Sequence, residues 1–214
     1  MATYDFPPLV FPSSSRMQLE GNTGLSPSPL IASAQTIDRG GLKWILQMEF
    51  ANKHGERRGE LMSLIAKLRG QANRVRIKVP DDPALGDLRG TPLVNGASQT
   101  GNALVIDGCQ ASVVWIKEGT YFSVEVNGEH ELKMATADAS TNGSGQTTLT
   151  FEPRLRASPA NNAPIFVRNA TVEDPEGVFV MAEPSAGWDS RPFRSSSPLS
   201  HFTLVFVEDV FATQ

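Results

Sequence analysis

The clearest alternation of apolar and polar positions covers residues 42–50. One face of this segment carries the apolar side chains Leu42, Trp44, Leu46, Met48 and Phe50. Because successive side chains of a strand point to opposite faces, the spacing predicts a strand with one buried face. In residues 56–69 the apolar positions recur every three or four residues, namely Leu61, Leu64, Ile65 and Leu68, which predicts a helix that ends at Gly70. We therefore expect a sheet covered by one helix.

A second alternating segment follows the helix and carries a basic face. In residues 74–79 the apolar residues Val75, Ile77 and Val79 alternate with Arg74, Arg76 and Lys78. A nucleic-acid contact is disfavoured because no aromatic residues for base stacking are interleaved. A solvated or subunit-facing strand surface is favoured instead. We predict that Arg74, Arg76 and Lys78 belong to a subunit interface.

Two weaker strands are predicted before residue 40, in residues 16–20 and 30–38. A Gly40-Gly41 pair separates the second of them from residues 42–50. Paired glycines adopt the positive φ angles of tight turns, so the pattern predicts a hairpin between these two segments.

Short strands without a helical pattern fill the middle of the chain. The predicted strands cover residues 103–106, 112–116, 121–126, 131–135, 147–152 and 165–167, with turn residues between them. Asn127-Gly128 is typical of a two-residue hairpin turn. Strands at this spacing predict a small barrel or curled sandwich, and the Gly- and Pro-rich residues 85–101 before it suggest a domain boundary.

The last predicted strands, in residues 177–182 and 201–207, cannot bury their faces alone. We place the closing strand in the first sheet, because the two chain ends of a domain are often close in space. The predicted fold is mainly β (α+β), with an outer β-sandwich domain that we call the belt domain, one packed α-helix and an inserted small β-barrel. The predicted boundaries are 1–88 for the first part of the belt, 89–167 for the barrel and 168–214 for the closing belt strands.

Composition and charge exclude some classes of function. The 214 residues are 40% hydrophobic and 20% charged, with a net charge of −4, which argues against wholesale disorder and against a generic nucleic-acid binder. Residues 52–79 contain eight basic and two acidic residues, a net charge of +6, so the remainder carries −10. This asymmetry favours head-to-tail packing of identical copies.

The residues show no targeting or catalytic signature. The start of the chain does not resemble a secretory signal, and the apolar runs are too short to span a bilayer, so we expect folding in a reducing cytosol. No local signature of a nucleophile–base pair surrounds Cys109 or His130, and a lone cysteine in a β-rich segment is usually a small buried residue.

Metal and phosphate sites are not indicated either. The spacing of His54, His130 and His201 does not match a metal site, and Asp81, Asp82 and Asp87 are more typical of turn caps. The sequence GSG (143–145) lacks the lysine and the helix of a phosphate loop. We expect no enzyme activity, no cofactor and no metal.

Three segments nevertheless resemble a known family. They are GTYFSV (119–124), GEHELKMATADA (128–139) and GSGQTTLTFEPRLR (143–156). Together with the Pro-rich start, the helix before a strand, and Gly187-Trp188 before the closing strand, they resemble the distal tail protein of long-tailed (siphovirus) bacteriophages or a related minor tail protein. The resemblance does not extend to the sizeable C-terminal galectin-like domain of the larger members.

The resemblance implies a structural, non-enzymatic virion protein that is assembled in the host cytoplasm. It implies a ring of six copies that joins the tail tube to the baseplate or tip, with the tail tube protein, baseplate hub and tape-measure protein as partners. It implies passage of the genome through the ring, without specific nucleic-acid binding and without a membrane. The alternative is a carbohydrate-binding or receptor-adhesion module of the tail tip, in which Trp115, Tyr121 and Phe122 stack on sugars.

Overall fold

The computed structural model describes residues 1–27, 34–169, 174–191 and 198–210. Strands make up 51% of the structure and helix 7%, with one helix in the described residues. The prediction of a mainly β fold with one helix is therefore confirmed.

The elements follow one another in three groups. The first group contains β1 (Thr3–Asp5), β2 (Ser14–Glu20), β3 (Thr23–Pro27), β4 (Ala34–Asp38), β5 (Lys43–Lys53), α1 (Gly55–Leu68) and β6 (Arg74–Lys78). The second contains β7 (Gly90–Val94), β8 (Gly101–Cys109), β9 (Val114–Ile116), β10 (Tyr121–Val126), β11 (Glu129–Ala135), β12 (Ala139–Ser140), β13 (Thr147–Leu155) and β14 (Ile165–Phe166). The third contains β15 (Glu176–Met181), β16 (Trp188–Arg191) and β17 (Leu199–Glu208).

The first sheet combines strands from both ends of the chain. Its order is β1-β6-β15-β17-β5-β2, and β16 also pairs with β17. The β1–β6 pairing is parallel, whereas the other pairings in this sheet are antiparallel. The prediction that the closing strand joins the first sheet is confirmed, because β17 pairs with β5 over most of its length.

Helix α1 packs on the apolar face of this sheet. Leu61, Leu64 and Leu68 are buried in the same core cluster as Trp44, Leu46, Met48 and Phe50 of β5, which confirms most of the two predicted buried faces. Leu42 and Ile65 are only partly buried. Arg69 ends the helix with a left-handed φ of 51°. The φ of Gly70 is 66°, and a Cβ atom there would lie 2.5 Å from the Pro184 carbonyl oxygen, so only glycine fits.

The second sheet curls into a nearly closed barrel. Its order is β14-β10-β11-β13-β8-β7, and a β-bridge between Leu93 and Pro164 brings the two edges together. Its core holds large aromatic side chains, among them Phe122 and Phe151, whose rings meet edge to face at 5.5 Å. The β10–β11 hairpin turns at Asn127-Gly128 with φ angles of 52° and 81°, as predicted.

The predicted hairpin at Gly40-Gly41 is wrong. Strand β4 pairs with β3, whereas β5 pairs with β2 and β17, so the two glycines do not connect paired strands. They lie where the chain returns from the β3–β4 ribbon to the sheet. Strand β7 was also not predicted, because Gly90, Pro92 and the turn residues around them obscure the alternation.

Candidate functional site

The three basic residues predicted at a subunit interface have different environments. Arg74 forms an ion pair with Asp209, and both side chains are mostly buried. Arg76 donates to Glu129 at 3.0 Å and lies 3.4 Å from Asp5, and Glu129 also accepts a hydrogen bond from Thr3. Burial alone would lower the pKa of Arg76, but the charges of Glu129, Asp5 and Glu176 and the hydrogen bond to Glu129 raise it.

These ion pairs lie within the chain, because Arg74 contacts the residue after β17 and Arg76 contacts β1 and β11. Lys78, at the end of β6, is exposed. Lys78 is thus the member of the predicted interface whose charge remains accessible to a partner.

The ribbon formed by β3 and β4 is a candidate interaction element, which we call the arm. It continues from β2 and β5, and its base is marked by the hydrogen bond from the Arg39 N–H to the Asn22 carbonyl at 3.1 Å. The arm side chains are largely exposed, including Leu25 at 68% and Ile37 at 46%. A two-stranded ribbon without a core is marginally stable alone, so an arm of this kind gains stability when another surface covers it.

A buried polar network connects the barrel to the first sheet. We call it the junction network; it consists of Trp44, Glu131, Lys133, Arg156 and Glu208. Arg156 donates two hydrogen bonds of 2.7 Å to Glu208, which also accepts from the Trp44 backbone N–H at 3.0 Å. Lys133 donates to Glu131 at 2.8 Å, and Glu131 accepts from the Arg156 backbone N–H at 3.2 Å.

The electrostatics of the network follow from its burial. Desolvation lowers the pKa of Lys133, an effect that the charge of Glu131 partly offsets. For Arg156 the hydrogen bonds and charge of Glu208 outweigh desolvation, and the pKa is raised. Because the network joins β5, β11, β17 and the residue after β13, it fixes the position of the barrel on the sheet.

A cavity of about 1130 Å³ lies between the Pro-rich segment before β2, the end of β6 and the start of β15. Its charged lining mixes both signs and includes Lys78, Arg168, Asp81 and Asp174. His130 also lines it, with its Nδ1 3.4 Å from a Glu176 carboxylate oxygen and its ring stacked on Phe166. The mixed charge selects no single class of ligand.

Asp82 is a buried carboxyl group next to this cavity. Its Oδ1 accepts hydrogen bonds from the backbone N–H groups of Ala84 and Tyr121, whereas Oδ2 is buried without a hydrogen-bond partner among the described residues. Burial raises the pKa of Asp82, although these two hydrogen bonds and the charge of Arg168 act in the opposite direction.

We expect the Asp82 carboxyl group to make the protein less stable as pH rises. A carboxyl with a raised folded pKa favours the native state below its unfolded pKa, near 3.8, and loses that contribution as pH increases through the folded pKa. Asp82→Asn should remove this part of the pH dependence, because the amide does not titrate. Urea unfolding of both proteins over a pH series would measure it. Parallel pH profiles would contradict the assignment.

Cys109 and His130, the two residues considered for nucleophilic catalysis, have different neighbours. Cys109 is buried, its thiol contacts the Asp107 carbonyl, and burial with the nearby Asp107 charge raises its pKa to about 12. His130 instead contacts Glu176 and Phe166. Within residues 1–27, 34–169, 174–191 and 198–210, no group of three His, Cys, Asp or Glu residues is arranged to hold a metal ion.

The aromatic residues proposed for sugar stacking are mainly core residues. Trp115 and Phe122 are completely buried in the barrel, and the Trp115 indole donates to the Arg89 carbonyl. Tyr121 is partly buried and packs edge to face on Trp44. In this conformation neither Trp115 nor Phe122 can stack on a ligand.

Comparison with protein families and curated proteins gives no match. No protein-family model matches the sequence, and no curated protein matches it significantly. In the part of the chain that the structure describes, no helix has the length and hydropathy needed to span a membrane.

Sequence reasoning did not identify the junction network or the arm. Glu131 and Lys133 are indistinguishable in the sequence from the exposed charges of an ordinary strand. The sequence contains a signal for the arm, namely two short uncharged segments, one that ends at Pro27 and one that begins at Ala34. The Gly40-Gly41 pair, however, suggested a different strand pairing.

Proposed function

We propose that the chain is a self-associating structural protein of a bacteriophage tail, a ring-forming adaptor that links the tail tube to the baseplate or tip. The observation that carries self-association is the arm, an exposed ribbon with apolar side chains and no core of its own. Surfaces of this kind are typical of contacts with another chain.

The charge distribution supports contacts between copies. The segment with net charge +6 retains exposed cations such as Lys78, although Arg74 and Arg76 are neutralised within the chain. An exposed cation on one copy can meet the acidic remainder of a neighbour, which steers association and fixes orientation. The assignment to a phage tail, its six copies, its neighbours in the tail and the passage of the genome rest on the family resemblance.

Rigidity of the subunit fits a structural role. The barrel and the first sheet share the junction network, and Leu132 of the barrel is buried in the core of the sheet. A protein that joins two larger assemblies must hold its two sides in one orientation. The contacts between the barrel and the first sheet favour such a fixed orientation.

Native mass spectrometry and light scattering at several salt concentrations test the proposal. We expect a closed oligomer of one defined size at micromolar concentration, weakened at high salt. Lys78→Gln should weaken assembly several-fold without changing the free energy of unfolding by more than about 0.5 kcal/mol, because Lys78 is exposed and a neutral amide places no second carboxylate opposite Glu176.

Arg74→Glu is not an equivalent test, because it places two carboxylates together at Asp209 and destabilises the monomer. A strict monomer at high concentration would contradict the proposal. An unchanged assembly of Lys78→Gln would show that the basic face is solvated.

A further inference from the structure

The face of the first sheet opposite α1 carries a stripe of aliphatic side chains. Val207 pairs with Ile45 on one side and with Val180 on the other, and Val205 lies two residues along β17. Because side chains alternate along a strand, these residues face away from the buried Leu204 and Phe206. We call Ile45, Val180, Val205 and Val207 the outer stripe.

The outer stripe is not part of the interior. All four side chains are partly exposed and belong to neither core cluster. Polar side chains border the stripe on β2, among them Arg16 and Gln18, which are exposed. An apolar centre with a polar rim is the usual composition of a protein interface.

The arm is the counterpart that this chain offers. Residues 23–27 and 34–37 contain no charged side chain, so the arm can cover an aliphatic surface without desolvating a charge. Leu25 and Ile37 lie on opposite faces of the ribbon, because Leu25 pairs with Thr36 and Ile37 with Gly24. Either face can therefore bring one large apolar side chain to a surface.

The arm is longer than the outer stripe is wide. The arm has five residue pairs, which at about 3.4 Å per residue gives a length of about 17 Å. The outer stripe lies on the three neighbouring strands β15, β17 and β5, which at about 4.8 Å between strands gives a width of about 10 Å. One arm is thus long enough to cross the outer stripe.

We propose that the arm of one copy lies across the outer stripe of a second copy of this chain. The inference rests on the proposed self-association and names the two surfaces that meet. Because the arm is exposed on its own subunit, it is accessible to the outer stripe of another copy. Arm and stripe are different surfaces, which makes the contact heterologous and repeatable from copy to copy, as a closed ring requires.

Disulfide trapping between two differently substituted copies tests the contact. Leu25→Cys protein is mixed with Val205→Cys protein, reassembled and oxidised, and Val207→Cys serves as a second stripe position. The control partner is Val105→Cys, on the outside of the barrel, where the native side chain is 40% exposed. We expect at least tenfold more disulfide-linked dimer with the stripe partners than with the control, and wild-type protein, whose Cys109 is buried, should give none.

The outcomes separate this inference from the proposed function. If oligomers form by light scattering but Leu25→Cys links to itself or equally to Val105→Cys, the docking site is wrong and self-association stands. If the unsubstituted protein stays monomeric at every concentration, both proposals fail. Selective linkage to Val205→Cys or Val207→Cys supports both.

Discussion

Glu208→Ala should destabilise the protein by about 3–5 kcal/mol, because removing one partner of a buried ion pair leaves the other charge uncompensated. The Glu208 side chain is 2% exposed and that of Arg156 is 10% exposed. The substitution removes both hydrogen bonds to the guanidinium and the acceptor of the Trp44 backbone N–H. Urea unfolding followed by tryptophan fluorescence would give the change in the free energy of unfolding.

The matched control for this prediction is Glu20→Ala. Glu20 also forms an ion pair, at 2.9 Å to Lys43, but both side chains are more than a third exposed. Exposed pairs contribute about 0–1 kcal/mol, so Glu20→Ala should change stability little. A Glu208→Ala protein as stable as the Glu20→Ala protein would show that the junction network does not hold the barrel on the sheet.

Removal of the arm should weaken self-association at least tenfold while the remaining fold stays intact. Residues 23–38 can be replaced by an Asn-Gly turn, since the hydrogen bond between Arg39 and Asn22 already brings the flanking residues together. The arm contributes exposed side chains rather than core, so we expect the free energy of unfolding to change by no more than about 1 kcal/mol. Analytical ultracentrifugation over a concentration series measures the association.

A point-substitution version of this experiment has a matched control. Leu25→Ser with Ile37→Ser removes the two exposed apolar side chains of the arm, and Leu85→Ser with Val114→Ser removes two comparably exposed ones from outside the arm. Only the arm variant should lose association. Equal loss in both variants would indicate a general dependence on surface hydrophobicity, and no loss in either would exclude the arm from the contact.

The elements with strong local patterns were predictable from the sequence. The β5 strand, α1 and the Asn127-Gly128 turn depend on neighbouring residues, and their boundaries lie within a few residues of the predicted ones. The hairpin predicted at Gly40-Gly41 is wrong for a related reason. A glycine pair indicates where the chain can turn, but the partner of a strand depends on residues far away in the sequence.

Strand β6 also shows that a local pattern does not reveal the partners of a charged side chain. Alternation correctly places Arg74, Arg76 and Lys78 on one side of β6. The partners of the two arginines come from β1, β11 and the residue after β17. Whether a charge is paired within the chain or free for a neighbour is therefore a property of the fold, and only Lys78 retains the exposure expected of all three.

Residue spacing is sufficient to predict the mainly β character, helix α1 and the apolar faces of β5 and α1, because these features depend on residues within one or two turns or strands. The exposed arm of β3 and β4 and the common burial of Glu131, Lys133, Arg156 and Glu208 depend on the tertiary fold. Contacts between residues separated by tens of positions, such as those of Arg156 with Glu131 and Glu208, determine this burial and pairing, and no local pattern encodes them.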